Sequence, residues 1–203
     1  RQWISPAGQG LWCSTLLRPR LKPEDAPFIT FCTAMALAEA IDRLCGTQAR
    51  IKWPNDVVIQ GKKCSGILLE MAADPDRLEY VVVGTGVNLQ PGAYPPELKD
   101  RAISLAELTD RPPLRREMLC AYLAALEPLV DTLEASGFPA LLPAYTARSC
   151  TLGSRVQVSG GMELTGLAES LDASGALMVR DDAGELHRVL SGDVSVRGIM
   201  GYV

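Results

Sequence analysis

The spacing of apolar and polar positions changes twice along the chain. Up to about residue 90, short apolar runs are cut by turns around one long helical stretch. Helical spacing then dominates to residue 148, and short alternating runs return after it. Leu11–Leu17 (LWCSTLL) reads as a strand behind a Gly/Pro-rich loop. Between Pro23 and Cys45, Phe28, Phe31, Met35, Ala38, Ile41 and Cys45 recur at helical spacing. Pro23 and Pro27 both suit a first turn, and Gly46 follows as the stop. Ile51-Lys52 ends a strand. Trp53–Asp56 turns, because proline fixes its φ and Asn and Asp bond their own backbone. The β-branched run Val57-Val58-Ile59 is a strand, Gln60-Gly61 a hairpin turn and Lys62–Glu70 the returning strand. Leu78–Leu89 (LEYVVVGTGVNL) is a further, buried strand.

A proline-rich loop over residues 90–100 leads to Ser104 and Glu107, a capping box ahead of a short helix. Residues 112–136 predict a long helix with Leu114, Met118, Tyr122, Leu126, Leu129 and Leu133 on one face and a kink at Pro128. Residues 138–148 predict one more short helix. From Thr151 onward, Arg155–Val158, Glu163–Ala168, Ala176–Val179 and Leu186–Val189 read as short strands between turns, closed by Ser191–Arg197. That pattern is a small meander, a compact barrel. The change at Cys150 divides the chain into a domain over 1–149 and a second over 150–203.

Composition narrows the function classes. With a net charge of −4 and a pI near 5.1, a broad nucleic-acid-binding surface is excluded, though local cationic pockets are not. The six cysteines show no CxxC spacing and several sit in apolar runs, which fits reduced thiols of a cytoplasmic protein rather than disulfides or a zinc site. The one histidine, His187, excludes any mechanism needing two and is assigned a structural or surface place. No apolar run reaches membrane-spanning length. The chain opens at Arg1 without an initiator Met, so it is expected to be a fragment or to follow an upstream segment.

Candidate chemistry concentrates in residues 51–70. Regular alternation along the returning strand puts Lys63, Ser65, Ile67 and Leu69 on one face and Cys64, Gly66, Leu68 and Glu70 on the other. A lysine therefore stands beside a glycine that lets a ligand approach the backbone. Gly84-Thr85-Gly86-Val87-Asn88 also allows close approach, with Asn88 offering a donor and an acceptor. It is not a dinucleotide fingerprint, since no third glycine follows and no helix opens there.

Four motifs carry a resemblance. Lys52-Trp53-Pro54-Asn55-Asp56, Lys63-x-x-Gly66-Ile67-Leu68-x-Glu70, Gly84-x-Gly86-Val87-Asn88 and Ser191-Gly192-Asp193-Val194-Ser195-Val196-Arg197 stand in the order and spacing of biotin protein ligases. The opening Arg1-Gln2-Trp3-x-Ser5-Pro6-x-Gly8 resembles the residues after that family's Gly-Arg-rich biotin loop. Most of that loop and the family's N-terminal strands are not in this sequence. The resemblance implies an α+β fold: a mixed β-sheet packed by helices, followed by a small SH3-like β-barrel. It implies formation of biotinyl-adenylate from biotin and ATP, then transfer of biotin to a lysine of a biotin carboxyl-carrier protein, in a cytoplasmic enzyme that could be a homodimer.

The resemblance also implies roles by position. Lys63 would be catalytic, bridging the biotin carboxylate and the α-phosphate, because two anions brought together need a compact positive charge between them. Arg1, Trp3, Gly66, Leu68, Gly84, Gly86, Val87 and Asn88 would line the biotin and adenylate site. Lys52, Asn55, Asp56, Asn88, Asp193 and Arg197 would serve the nucleotide and its phosphates, with Asp56 the Mg²⁺ ligand. Two other readings accompany this one. A lipoate or octanoate ligase or transferase shares the fold, but the KWPND run and the C-terminal meander favour biotin. A binding-only repressor that senses biotinyl-adenylate would need a helix-turn-helix ahead of Arg1.

Overall fold

The computed structural model describes residues 4–191 and 194–198. Among these, ten strands form two five-stranded antiparallel sheets, and the first is packed by helices. Strands β1 (Gly10–Leu17), β2 (Arg50–Lys52), β3 (Asp56–Ile59), β4 (Lys62–Asp74) and β5 (Arg77–Asn88) order themselves β1-β5-β4-β3-β2. The expected mixed sheet is therefore corrected. Among the described residues its strand pairs are all antiparallel, three of them (β2–β3, β3–β4 and β4–β5) across short connections, and parallel pairing occurs only as the isolated bridges Ile51–Ser149 and Lys63–Ala102. Strand β4 runs past Glu70, because it forms a long hairpin with β5 through Pro75-Asp76.

Helix α1 (Phe28–Cys45) begins after Pro27, the later of the two candidate starts, and ends at Gly46 in the left-handed conformation. It is buried along nearly its whole length between the sheet and helix α2 (Arg115–Ser136). Its alanines at 34, 36, 38 and 40, all at or below 1% exposure, permit that two-sided packing. Helix α2 starts three residues later than the sequence suggests, with the Leu114 N–H donating to Glu117 (2.8 Å). Helix α3 (Leu142–Arg148) follows a 3-10 turn. Phe28, Phe31, Phe138 and Tyr145 form one aromatic cluster, with Phe31 4.9 Å from Phe138 and 4.7 Å from Tyr145 between ring centroids.

The second sheet holds β6 (Arg155–Gly160), β7 (Leu164–Leu171), β8 (Leu177–Asp181), β9 (Leu186–Val189) and β10 (Val194–Gly198), ordered β10-β6-β7-β8-β9. Among the described residues it is an open meander, with no pairing that closes β9 onto β10. His187 sits in β9 with Nε2 2.8 Å from Asp181 Oδ2.

Candidate functional site

The first sheet has two unlike faces. Leu11, Ile51, Val57, Ile59, Ile67, Val81, Val83 and Val87 belong to the helix-packed core. Among the described residues the opposite face carries no helix, and it forms a pocket of about 560 Å³, in the range usual for small-molecule sites. Cross-strand register explains its lining. Gly66 lies opposite Gly86, Leu68 opposite Gly84, and Trp12 opposite Gly86 on the other side. Gly66 from β4 and Gly84 and Gly86 from β5 thus make a patch of bare backbone between the Trp12 and Leu68 side chains. Gly10 leaves room for the Trp12 ring, since a Cβ there would come within 2.4 Å of it. The indole N–H donates to the Pro6 carbonyl (3.2 Å).

Lys63 reaches this face through a β-bulge. Val57 pairs with Ser65 and Val58 with Lys63, so Cys64 is the extra residue. Cys64 and Ser65 both turn into the core at 0% exposure, and Lys63 joins Gly66 and Leu68 over the pocket. The expected grouping of Lys63 with Ser65 is corrected by this one residue. The Lys63 backbone is held on its other side: its N–H donates to the Arg101 carbonyl (2.8 Å), and its carbonyl accepts from Ile103 (3.0 Å) and from the Asn88 side chain (3.4 Å).

The Lys63 ammonium pairs with the Asp56 carboxylate. Asp56 faces Lys52 across β2 and β3. Lys52 is 6% exposed, and burial pulls its ammonium down to about 8. Asp56 opposes that fall, while Lys63 and Arg197 add to it. One carboxylate among three cations leaves the corner net positive, which suits an anionic ligand. The Asn55 side chain donates to the Ile67 carbonyl (2.8 Å), and the Asn55 backbone carbonyl accepts from the Ile67 N–H (3.0 Å). The turn is thereby clamped to β4.

The structure brings Asn55, Asp56, Lys63, Gly66, Leu68, Gly84 and Gly86 together at the pocket. Lys52 stands one strand beyond Asp56 on the same face, and Arg197 is exposed on β10. Val87 is corrected: it is fully buried in the helix-packed core, so its side chain does not line the pocket. Asn88 is 4% exposed and donates to the carbonyls of Lys63 and Ile103 (3.2 Å), which makes it a brace rather than a lining residue. Arg1, Trp3 and Asp193 lie outside the described residues. Sequence reasoning passed over Ser5, Trp12, Cys13, Ser14 and Thr85, which also border the pocket, as does the stretch of β4 at Ile67. For Trp12 and Ser14 the missing signal is the β1 register, which sets them opposite Gly86 and Gly84.

Asp56 is the one carboxylate lining the pocket among the described residues. One group with metal-ligand spacing, Asp181, Glu185 and His187, lies at the β8–β9 hairpin of the second sheet. There the Asp181 carboxylate is taken up by the N–H groups of Ala183 (2.9 Å) and Glu185 (2.9 Å) and by His187. Those bonds account for the turn without an ion.

Comparison with known proteins bears on the whole chain. The biotin/lipoate A/B protein ligase family matches residues 1–88, and the biotin protein ligase C-terminal domain matches residues 151–197. The biotin–[acetyl-CoA-carboxylase] ligase of Paracoccus denitrificans is 36% identical over 91% of this chain and 79% of its own length. The bifunctional ligase/repressor BirA of Bacillus subtilis is 32% identical over 97% of this chain, which spans 61% of that protein's length. Among solved structures, the biotin protein ligase of Aquifex aeolicus in complex with biotin and ATP superposes with a TM-score of 0.85 at 29% identity, covering 98% of this chain and 82% of that one. Among the described residues no helix is long and apolar enough to cross a membrane.

Proposed function

Because this chain belongs to the biotin protein ligase family, we propose that it activates biotin with ATP and passes the biotinyl group to a lysine of a carboxylase's carrier domain. The observation that carries this reading is the Lys63 ammonium, set beside Asp56 at one end of a pocket floored by Gly66, Gly84 and Gly86. An extended apolar acyl chain can lie on bare backbone between Leu68 and Trp12, with its carboxylate toward Lys63.

In the first half-reaction a carboxylate oxygen of biotin attacks the α-phosphorus of ATP. The bond to the bridging oxygen breaks and pyrophosphate leaves. Lys63 offsets the repulsion between the two anions and the charge building on the phosphoryl oxygens. Lys52 and Arg197 extend the positive field toward the phosphates, and Asn55 holds the turn in place. In the second half-reaction the carrier's amine attacks the acyl carbon, an amide forms with loss of a proton, and AMP leaves. Neither half needs a protein histidine.

Mg²⁺ accompanies ATP, and such ions take one or two carboxylates plus phosphate oxygens and water. Asp56 fits that place, directly or through water. We divide the roles at residue 149: residues 1–149 hold the pocket, and residues 150–203 contribute Arg197. The cytoplasm suits six free cysteines. The C-terminal match over 151–197 favours biotin over lipoate or octanoate.

The test is ATP–pyrophosphate exchange with purified protein. Exchange is expected with biotin and absent with lipoate or octanoate; exchange with lipoate alone would overturn the reading.

A further inference from the structure

We propose that the second sheet is a positioning element for the first half-reaction, acting through the grip of its β7–β8 turn, at Gly175, on the Trp53 indole, which sets the turn carrying Asn55 and Asp56. This rests on the ligase reading above. Trp53 is 2% exposed and is not among the residues lining the pocket. Its indole N–H donates to the Gly175 carbonyl (3.0 Å), 122 residues away, and its backbone N–H donates to Thr151 Oγ1 (2.9 Å). Both acceptors come after helix α3.

The Gly175 carbonyl is itself fixed. Gly175 has φ +75°, and a Cβ there would meet the Phe31 ring at 2.9 and 3.2 Å. The turn around it is closed by Asp172, whose carbonyl accepts from the Gly175 N–H (2.9 Å) and whose Oδ1 accepts from the N–H groups of Ser174 (2.8 Å) and Ala176 (3.0 Å). From Trp53 the chain passes directly to Asn55, clamped on Ile67, and to Asp56, paired with Lys63. The chain between anchor and charge pair is short, so a shift of the indole moves the Asp56 carboxylate. Misplacement by about 1 Å can cost a reaction up to about 100-fold. Trp53 is thus a positioning residue, and its acceptor belongs to a domain that need not touch biotin.

The test uses the full chain and steady-state exchange kinetics at saturating ATP. Trp53→Phe keeps the ring and removes the N–H. Its kcat is expected to fall about 10-fold while KM for biotin stays within about twofold, the split that lost positioning gives. Gly175→Ala should do the same, and the double variant should be no worse than the poorer single, since both break one link. Arg155→Ala, which removes an exposed pair with Asp182 elsewhere on the second sheet, should leave kcat unchanged. Gly175→Ala carries a steric risk to folding, and if it fails to fold Trp53→Phe decides alone. Wild-type kcat in a folded Trp53→Phe, or additive losses in the double variant, would overturn the inference and leave the ligase reading standing. No biotin-dependent exchange in the wild-type chain would overturn both.

Discussion

Replacing Lys63 with Met removes a charge while keeping side-chain length, and the structure sets the size of the effect. The ammonium lies at the open face of the sheet, with 25% of its side chain exposed and Asp56 at 14%. At an effective dielectric of about 20, a unit charge about 4 Å from a phosphoryl oxygen is worth about 4 kcal/mol. That is about 10³ in rate, and removal of a single oxyanion donor elsewhere costs a comparable 10²–10³, roughly. Exchange by Lys63→Met should therefore fall by about 10²- to 10³-fold in kcat. Stability should change little, because Asp56 keeps Lys52 across the β2–β3 pair. The assay is biotin-dependent pyrophosphate exchange, with thermal unfolding as the check on folding. A folded Lys63→Met that exchanges within about threefold of wild type would refute the electrostatic role.

Other outcomes follow from named contacts. Leu68→Ser should alter stability by no more than about 0.5 kcal/mol, because Leu68 is 65% exposed. It should raise KM for biotin about tenfold, the worth of about 1.4 kcal/mol of lost apolar contact, and an unchanged KM would remove Leu68 from the site. Phe31→Ala should cost about 3–5 kcal/mol in urea unfolding, because it empties the centre of the aromatic cluster. A loss below about 1.5 kcal/mol would show that the cluster collapses to fill the space. Burial works to raise the Asp172 carboxyl, but bonds from Arg188, Ser174 and Ala176 hold it at about 2 against an ordinary 3.8. A depressed carboxylate stabilises above its unfolded value, and that contribution fades as pH falls from about 4 toward 2. The melting advantage of wild type over Asp172→Asn should thus be present at pH 6 and smaller at pH 3; equal advantages would refute the shift.

The strand-turn-strand run around Trp53-Pro54-Asn55-Asp56 was legible because proline, Asx residues and a β-branched run are local signals. So were α1, with its start left between two prolines, and the change of pattern at Cys150. Three features were hidden for physical reasons. The side taken by Lys63 depends on which residue β3 skips, and nothing in KKCSG marks a bulge. Val87 lies beside Gly86 in a motif read as a unit, yet strand alternation sends adjacent side chains to opposite faces. The indole of Trp53 spans 122 residues to its acceptor, a separation that no sequence period records.

The extra residue at Cys64 makes the chemistry of this chain a matter of phase as well as identity. Were Cys64 taken into the ladder with no bulge, regular alternation would run from Gly66 back to Lys63. The ammonium of Lys63 would then be carried to the side of Val57 and Val87, among core residues at 0% exposure. Strand β4 would have either to bury that charge or to slip against its neighbours, and a slip would part Gly66 from Gly86. Removing Cys64 would instead keep Lys63 opposite Val58 and over the pocket, so it is the bulge, and not the identity of the residue in it, that decides on which side of the sheet the charge stands.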